Sequence, residues 1–388
     1  VINDGGFTDN GPFERVANEH SIIDIADLVL IDPVGTGFAK AVGDAKGEDF
    51  WGVDQDATSV SDFIAQYVTQ NKRWASPKFI LGESYGGMRS GAVAYQLLTR
   101  HMIALNGVVL VSPFMELATG FAGRGIDLPH IMFLPTFAAT AWYHDALANK
   151  PADLVAFVDE VERFALGEYA SALLLGDRLD HDKRQAVIEK LAQFTGLDAD
   201  YWERANLRIN EGRFTKELFR RRGITVGRID SRFVGNMINR VGESQAYDPM
   251  LSAIGPPYLA AFMDYYSRDL KVEDIGTYKV FGNVFGKWDW GHRQPDVGHK
   301  LPFANTAIDL ALTMTQNPSM KVLVQQGYFD LATPHLATEY YLDHLDIADE
   351  LRKNIVLEYY EAGHMMYVHE PSLVKFKKDL AEFVLSAH

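Results

Sequence analysis

The serine at position 84 has the sequence setting of an enzymatic nucleophile. The pentapeptide Gly82-Glu83-Ser84-Tyr85-Gly86 follows a short apolar run at residues 78–81 and opens a stretch with helical spacing at residues 86–100. A Gly-x-Ser-x-Gly motif between a strand and a helix is the pattern of a nucleophile elbow, a sharp turn that exposes the serine hydroxyl. The simpler alternative is a glycine-rich turn whose serine caps the helix.

The neighbours of Ser84 fit the elbow. We attribute Gly82 and Gly86 to crowding in the turn, and Gly87 to close packing of the helix on the sheet. The backbone N–H of Tyr85, at the start of the helix, would meet the negative charge that develops on a substrate oxygen.

A nucleophilic serine needs a general base, and the base needs an acid that orients it. Further along the chain, the apolar run at residues 321–325 leads to Asp330, and the run at residues 354–359 leads to His364. Both residues therefore follow predicted strands, at the sheet edge where open α/β sheets bind ligands. Serine, aspartate and histidine in this order are typical of the triads of α/β-hydrolases.

Each proposed partner of Ser84 also has a simpler interpretation. Asp330 alone would be a turn residue, and His364 alone a solvated loop histidine. His369 and Asp343 are weaker substitutes for the same two roles, and Asp343 falls inside an apparent helix.

The elements that would position these residues alternate between strands and helices. Strands are predicted at residues 26–31, 78–81, 107–111, 321–325 and 354–359, and helices at residues 60–68, 86–100 and 307–316 and from about 334 and 371. This alternation predicts an α/β fold, a mostly parallel sheet flanked by helices.

The middle of the chain has a different pattern. Long helical stretches at residues 152–167, 181–193 and 257–268 precede an aromatic segment at residues 284–292. We therefore predict a hydrolase core of residues 1–112 and 305–388, with a mostly helical cap insertion at residues 113–304.

Composition excludes several classes of function. The chain of 388 residues has a formal net charge of −15 and no cysteine. Phosphate binding needs clustered Lys and Arg, so we predict no nucleic-acid partner. No apolar run reaches the ~18 residues of a membrane span, so we predict no membrane association. Without cysteine, disulfides, thiolate metal sites and a cysteine nucleophile are excluded.

The remaining motifs do not indicate a cofactor or a metal. Residues 32–40 follow a predicted strand, but a lysine stands where the dinucleotide fingerprint has its third glycine. His292 and His299 form no metal motif, and we place them on the surface or in the cap. Trp288 and Trp290 either line a substrate cleft or belong to the core of the cap.

Together these motifs resemble the serine carboxypeptidases, and within them the bacterial branch. The resemblance rests on residues 33–38, 82–87, 327–334 (Gly-Tyr-Phe-Asp-Leu-Ala-Thr-Pro) and 361–367 (Glu-Ala-Gly-His-Met-Met-Tyr), in this order and at comparable spacing. It implies an α/β-hydrolase fold and removal of C-terminal residues from peptides through an acyl-enzyme.

The resemblance also implies roles for individual residues. These are Ser84 as nucleophile, Asp330 and His364 as its partners, the Tyr85 N–H as oxyanion donor, Glu83 as the group that binds the terminal carboxylate of the substrate, and Met365 as part of the wall of the pocket for the side chain before the cleaved bond. The expected partner is a peptide with a free C-terminal carboxylate. An esterase or acyltransferase on the same scaffold is the alternative.

One motif of the family has no full counterpart here. The family has an Asn-Gly-Gly-Pro-Gly loop upstream of the strand predicted at residues 26–31, and it supplies the second oxyanion N–H. Residues 3–6 (Asn-Asp-Gly-Gly) are a partial echo, with Phe7 in place of the proline. We therefore expect the chain to begin partway into its first domain, and a catalytically silent binding protein is a further alternative. The sequence does not indicate an oligomeric state, and a periplasmic or secreted location is the working expectation.

Overall fold

The computed structural model describes residues 11–273, 276 and 278–387. The strands in this part of the chain are β1 (Phe79–Glu83), β2 (Gly107–Val111), β3 (Ile224–Val226), β4 (Val234–Asn236), β5 (Lys321–Gly327) and β6 (Ile355–Tyr360). The helices are α1 (Val53–Gln70), α2 (Tyr85–His101), α3 (Leu128–Tyr143), α4 (Leu154–Phe164), α5 (Ala170–Leu175), α6 (His181–Thr195), α7 (Ala199–Arg204), α8 (Glu211–Glu217), α9 (Pro249–Asp264), α10 (Ala307–Gln316), α11 (His335–Asp343), α12 (Asp349–Arg352) and α13 (Glu370–Ser386).

The main sheet is parallel, with the strand order β1-β2-β5-β6. Glu83 pairs with Val111, Val111 with Gln325, and Gly327 with Tyr360, so the carboxyl ends of all these strands lie at one edge. Helices follow the strands, as parallel pairing requires. The predicted fold class is confirmed: this is an α/β-hydrolase sheet flanked by helices. Strands β3 and β4 form a separate antiparallel hairpin.

Both faces of the central strand β2 are covered, which explains why this strand is uniformly apolar. Every residue of β2 is buried. Its side chains alternate between the two faces, as the period of a strand dictates. Val108 and Leu110 pack in one cluster with residues of α1, α2 and α10, whereas Val109 and Val111 pack with Phe383 and other residues of α13.

Helices α3 to α9, which we call the helical segment, all fall between β2 and β5, where the sequence predicts a helical insertion. Helices α3 to α8 share a core of their own, centred on α3, which is almost entirely buried and packs against α4, α6 and α11. Leu331 and Leu336, in the segment after β5, belong to the same cluster. The helical segment therefore packs directly on the loop that carries Asp330. The boundaries at 112/113 and 304/305 stay predictions.

Two predicted elements differ from the structure. Residues 26–31 form no strand: Leu28 and Leu30 are 50% and 91% exposed, and β1, whose free edge they would extend, has only β2 as a partner within the described residues. An apolar run indicates a strand only if a neighbour pairs with it. The helix predicted from residue 257 begins earlier, at Pro249, because the Asp248 side chain caps it by accepting from Leu251 N at 3.0 Å.

Among the described residues, none of the helices combines the length and the apolar character needed to cross a membrane.

Candidate active site

Ser84 lies in a strained turn between β1 and α2. Its φ of 58° and ψ of −122° are unusual for a residue other than glycine. Backbone hydrogen bonds fix the turn on both sides, from Ser84 N to Val111 O and from Phe114 N to Ser84 O, each 3.0 Å. Strain of this kind persists only where the surroundings hold it. The turn therefore has the backbone geometry that a nucleophile elbow requires.

The glycines around Ser84 differ in how much space surrounds them. A Cβ at Gly82 would lie 2.0 Å from Gly86 O, and one at Gly87 would lie 2.6 Å from the Cβ of Pro113, so both positions require glycine as expected. At Gly86 no atom lies within 4 Å of an added Cβ. The crowding that we predicted at Gly86 is therefore wrong, because this position faces open space.

Asp330 and His364 form a buried hydrogen-bonded pair. His364 Nδ1 lies 2.7 Å from Asp330 Oδ2, and the two residues are 5% and 0% exposed. The carboxylate also accepts from Ala332 N (2.8 Å), from Thr333 N (3.0 Å) and from the Thr333 hydroxyl (2.7 Å). Burial favours the neutral imidazole, but the charge and hydrogen bond of Asp330 outweigh it and raise the pKa of His364. Sequence reasoning did not find Thr333.

The structure brings Ser84 to the same sheet edge as this pair. Ser112 follows β2, between the strands that lead to Ser84 and to Asp330, and its hydroxyl donates to His364 O at 2.8 Å. The Ser84 hydroxyl makes no hydrogen bond to any described residue. Such contacts are often loose without substrate and close in its complex. The catalytic roles of the three residues stay predictions.

The substitutes for Asp330 and His364 are placed differently. His369 Nδ1 lies 2.8 Å from the Ser372 hydroxyl at the start of α13, and Asp343 is the last residue of α11. Neither forms the hydrogen-bonded pair that Asp330 and His364 make.

Glu83 is the acid directly before the serine, and it is held by a tyrosine that the sequence did not single out. Tyr367 donates its hydroxyl to Glu83, 2.9 Å from Oε2 and 3.2 Å from Oε1. Burial raises the pKa of Glu83, although His364 and the Tyr367 hydrogen bond act in the opposite direction. Tyr367 lies three residues after His364, so the only sequence signal was its place in the histidine loop.

Tyr85 is the first residue of α2, and its N–H has no hydrogen-bond partner within the described part of the chain. Its ring is surrounded by aromatic and cationic groups. The ring centroids of Trp288 and Trp290 lie 5.1 and 6.1 Å away, and the Arg89 guanidinium lies 5.2 Å above the ring. The two tryptophans therefore pack next to the elbow.

A cleft of about 1640 Å³ opens beside the elbow. Glu83, Tyr258 and Tyr367 line it, whereas Ser84 and His364 do not. Met365 also lies outside its lining and is partly buried against an apolar cluster formed by Phe233, Met250, Ala253, Ile254 and Val368. The predicted role of Met365 in a substrate pocket stays a prediction.

His292 is not a surface residue, contrary to one of our expectations. It is 4% exposed and bridges two carboxylates, with Nδ1 2.7 Å from Asp54 and Nε2 2.8 Å from Asp309. Burial opposes its charge, but the two acids raise its pKa to about 9. The imidazole thus links Asp54 of α1 to Asp309 of α10, and the expected place of His292 in the cap stays a prediction.

One group of side chains among the described residues has the chemistry of metal ligands. The donor atoms of Glu162, His335 and Glu339 lie within 4.8 Å of one another. His335 Nε2 is already 3.0 Å from Glu162 Oε1, and Tyr359 donates its hydroxyl to Glu339. Hydrogen bonds within the group account for its arrangement, and we assign no metal to it.

The partial echo of the family's oxyanion loop, residues 3–6, lies outside the described residues. The second oxyanion donor is therefore not identified in the part of the chain that the structure covers.

A comparison with protein families agrees with the resemblance to serine carboxypeptidases in the first part of the chain. A family model described as serine carboxypeptidase matches residues 3–150, a stretch that includes Ser84 but not Asp330 or His364. This match supports a hydrolase of the serine carboxypeptidase type. No curated protein matches the chain.

Solved structures give a looser likeness. The crystal structure of VinJ is 15% identical, with 92% of this chain and 79% of that chain covered and a TM-score of 0.35. The monoacylglycerol lipase of Paleococcus ferrophilus is 13% identical, with 92% and 81% covered and a TM-score of 0.34. At these TM-scores neither likeness carries an argument about function.

Proposed function

We propose that this protein is a serine-type carboxypeptidase that hydrolyses C-terminal residues of peptides through an acyl-enzyme. The observation that carries the proposal is the carboxyl group of Glu83, which directly precedes the strained Ser84, is partly buried and has a raised pKa. A general hydrolase has no need of an acid there, because the elbow needs only its glycines and its serine. The family match over residues 3–150 supports the same class.

The chemistry assigns one task to each group. The Ser84 hydroxyl attacks the carbonyl carbon of the last peptide bond, and His364 Nε2 takes its proton while Asp330 holds Nδ1. The Tyr85 N–H donates to the oxyanion. His364 then gives the proton to the departing amine, which leaves as the free C-terminal amino acid. Water, activated by His364, hydrolyses the acyl ester and regenerates Ser84.

Recognition of the C-terminal carboxylate is the task of Glu83. A protonated Glu83 donates a hydrogen bond to that carboxylate, whereas an ionised Glu83 repels it. The raised pKa of Glu83 keeps the protonated form populated to a higher pH than an exposed glutamate would. Met365 is proposed to contact the side chain before the cleaved bond.

The test is release of the last residue from an N-blocked dipeptide, followed by mass spectrometry. We expect the wild type to act on the free acid and poorly on the same dipeptide with an amidated C-terminus. Ser84→Ala should abolish release. Ser61→Ala is the matched control, because Ser61 is a buried serine of α1 that hydrogen-bonds Thr58 and Gln96.

The outcomes separate the alternatives. Equal release by Ser84→Ala and wild type would refute the proposal. Rapid hydrolysis of activated esters, with no preference for a free carboxylate, would instead identify an esterase or acyltransferase. Failure of an active-serine phosphonate to label Ser84 would identify a catalytically silent binding protein.

A further inference from the structure

The loop between β3 and β4, residues 227–233, reaches from the helical segment to the candidate active site. We refer to it as the hairpin loop. Its backbone brackets Asp330, since Ser231 N donates to Phe329 O and Leu331 N donates to Arg228 O, each at 3.0 Å. The same loop contacts the second loop of the site, where His364 N donates to Ile229 O at 2.7 Å. One short segment thus joins the loops that carry the proposed acid and the proposed base.

Asp230 is the centre of this contact. It is fully buried, and its Oδ2 accepts from Gly363 N at 3.1 Å, directly before His364. Arg232 holds the same carboxylate through Nη2 to Oδ2 (2.7 Å) and through Nε to Oδ1 (3.0 Å). A Cβ at Gly363 would lie 2.4 Å from the Cβ of Asp230, so this approach is possible only with glycine. A buried ion pair adds little to stability by itself, which points to a role in fixing geometry.

The hairpin loop is itself anchored from outside the site. The Asp248 carboxylate accepts from Arg228 N at 2.6 Å and from Ile229 N at 3.2 Å. The Ser231 hydroxyl lies 2.6 Å from the Thr140 hydroxyl on α3, and His144 Nε2 lies 2.6 Å from Ser231 O. The loop therefore transmits the position of the helical segment to the two catalytic loops.

We propose that Asp230, held by Arg232, is a positioning residue that sets the distance between the imidazole of His364 and the carboxylate of Asp330. The inference rests on the proposed function only in taking His364 as the base that activates Ser84. A base displaced by about 1 Å can cost about a hundredfold in rate. Loss of the Gly363 hydrogen bond should therefore lower the rate of chemistry far more than substrate binding.

Such a displacement has a signature in the pH profile. The charged and titratable groups that face His364 are Asp330 on the loop after β5, Glu83 at the end of β1 and Arg228 on the hairpin loop. Asp330 raises the pKa of His364 most among them. If the imidazole moves away from Asp330, its pKa falls, and the limb of the rate profile that it controls moves to lower pH.

The experiment compares three variants with the wild type. Asp230→Ala removes the acceptor of the Gly363 hydrogen bond but leaves a buried arginine. The double variant Asp230→Ala/Arg232→Met removes both charges, and it keeps the test valid if the single variant does not fold. Asp127→Ala is the matched control, because Asp127 pairs with Arg208 at 2.7 and 2.9 Å elsewhere in the helical segment. The readouts are the rate of phosphonate labelling at Ser84 as a function of pH, kcat and KM on the blocked dipeptide, and the thermal midpoint.

We expect the double variant to label Ser84 about 10–100-fold more slowly, with KM little changed and the pH limb shifted to lower pH, whereas Asp127→Ala lowers only the thermal midpoint. A double variant with the wild-type labelling rate and pH limb overturns the positioning inference. A wild type that labels at Ser84 but does not shorten peptides overturns the proposed function alone. A wild type that does not label at Ser84 overturns both.

Discussion

The exchange Glu83→Gln separates recognition of the substrate from the chemistry at Ser84. Gln has nearly the shape of a protonated glutamate and donates from its amide at every pH, so the variant should recognise a terminal carboxylate without the need for a proton. Burial raises the pKa of wild-type Glu83 above its ordinary value of 4.5. Above that raised pKa, the donor form of the wild type becomes rarer with each step in pH.

The size of the effect follows from the charge on Glu83. Above its pKa, each pH unit lowers the protonated fraction about tenfold, so the ratio of kcat/KM for free-acid peptides to kcat/KM for the amidated peptides should fall with a slope near −1 in logarithmic form. A hydrogen bond to a charged group contributes about 1.5–3 kcal/mol, or about 10–150-fold in kcat/KM. At neutral pH the Gln variant should therefore exceed the wild type on free-acid peptides by up to this factor. The ionised Glu83 also raises the pKa of His364, so the His364 limb should move to lower pH in the variant.

The assay measures kcat/KM from mildly acidic to neutral pH on matched dipeptides that end in a carboxylate or in an amide. The wild type should lose its preference for the carboxylate as pH rises, and Glu83→Gln should keep it. Glu116→Gln is the control, because Glu116 is another glutamate whose pKa burial raises. Parallel profiles for wild type and Glu83→Gln on the free-acid substrate would refute the assignment of Glu83.

Three further predictions concern the site and its frame. Asp330→Asn should slow phosphonate labelling at Ser84 roughly 10⁴-fold, because the imidazole of His364 would be held in the wrong tautomer. A decrease in the labelling rate of less than about tenfold would contradict the role of Asp330 as the partner of His364. The free energy of unfolding in urea should decline as pH rises from 6.5 through about 9. The protonated imidazole of His292 stabilises the fold through its two acids, and this contribution is lost as the imidazole loses its proton near its raised pKa. This contribution is at most about 3 kcal/mol, and His292→Asn should flatten the profile between these pH values. Gly82→Ala should lower the thermal midpoint, because its Cβ would lie 2.0 Å from Gly86 O, whereas Gly86→Ala has room and should lower it much less.

What the sequence predicted well depends on local pattern. Ser84 lies in a motif whose strand, turn and helix are contiguous, and Asp330 and His364 each follow an apolar run that became β5 or β6. Parallel strands bring their carboxyl ends to one edge of the sheet. The predicted strands alone therefore placed Ser84 near Asp330 and His364, although these residues lie at least 246 positions further along the chain.

What the sequence did not predict depends on contacts between loops. Asp230 lies 133 residues before Gly363, in a segment with no strand-end signal, and only the packing of the helical segment brings the two together. Tyr367 was in view within the histidine loop, but its hydroxyl matters only because the loop folds back over Glu83. The strand that we predicted at residues 26–31 is absent for a similar reason. The apolar content of a segment does not show which neighbouring strand will form hydrogen bonds with it.

The two acids that face His364 differ in how they are hydrogen-bonded. Asp330 accepts from two backbone N–H groups and the Thr333 hydroxyl besides the imidazole, so four donors within the protein hold it in place. Glu83 accepts only from the Tyr367 hydroxyl in the described residues, and burial raises its pKa. On this basis we propose that Asp330 orients the base and that Glu83 is the group whose proton a carboxylate substrate would use.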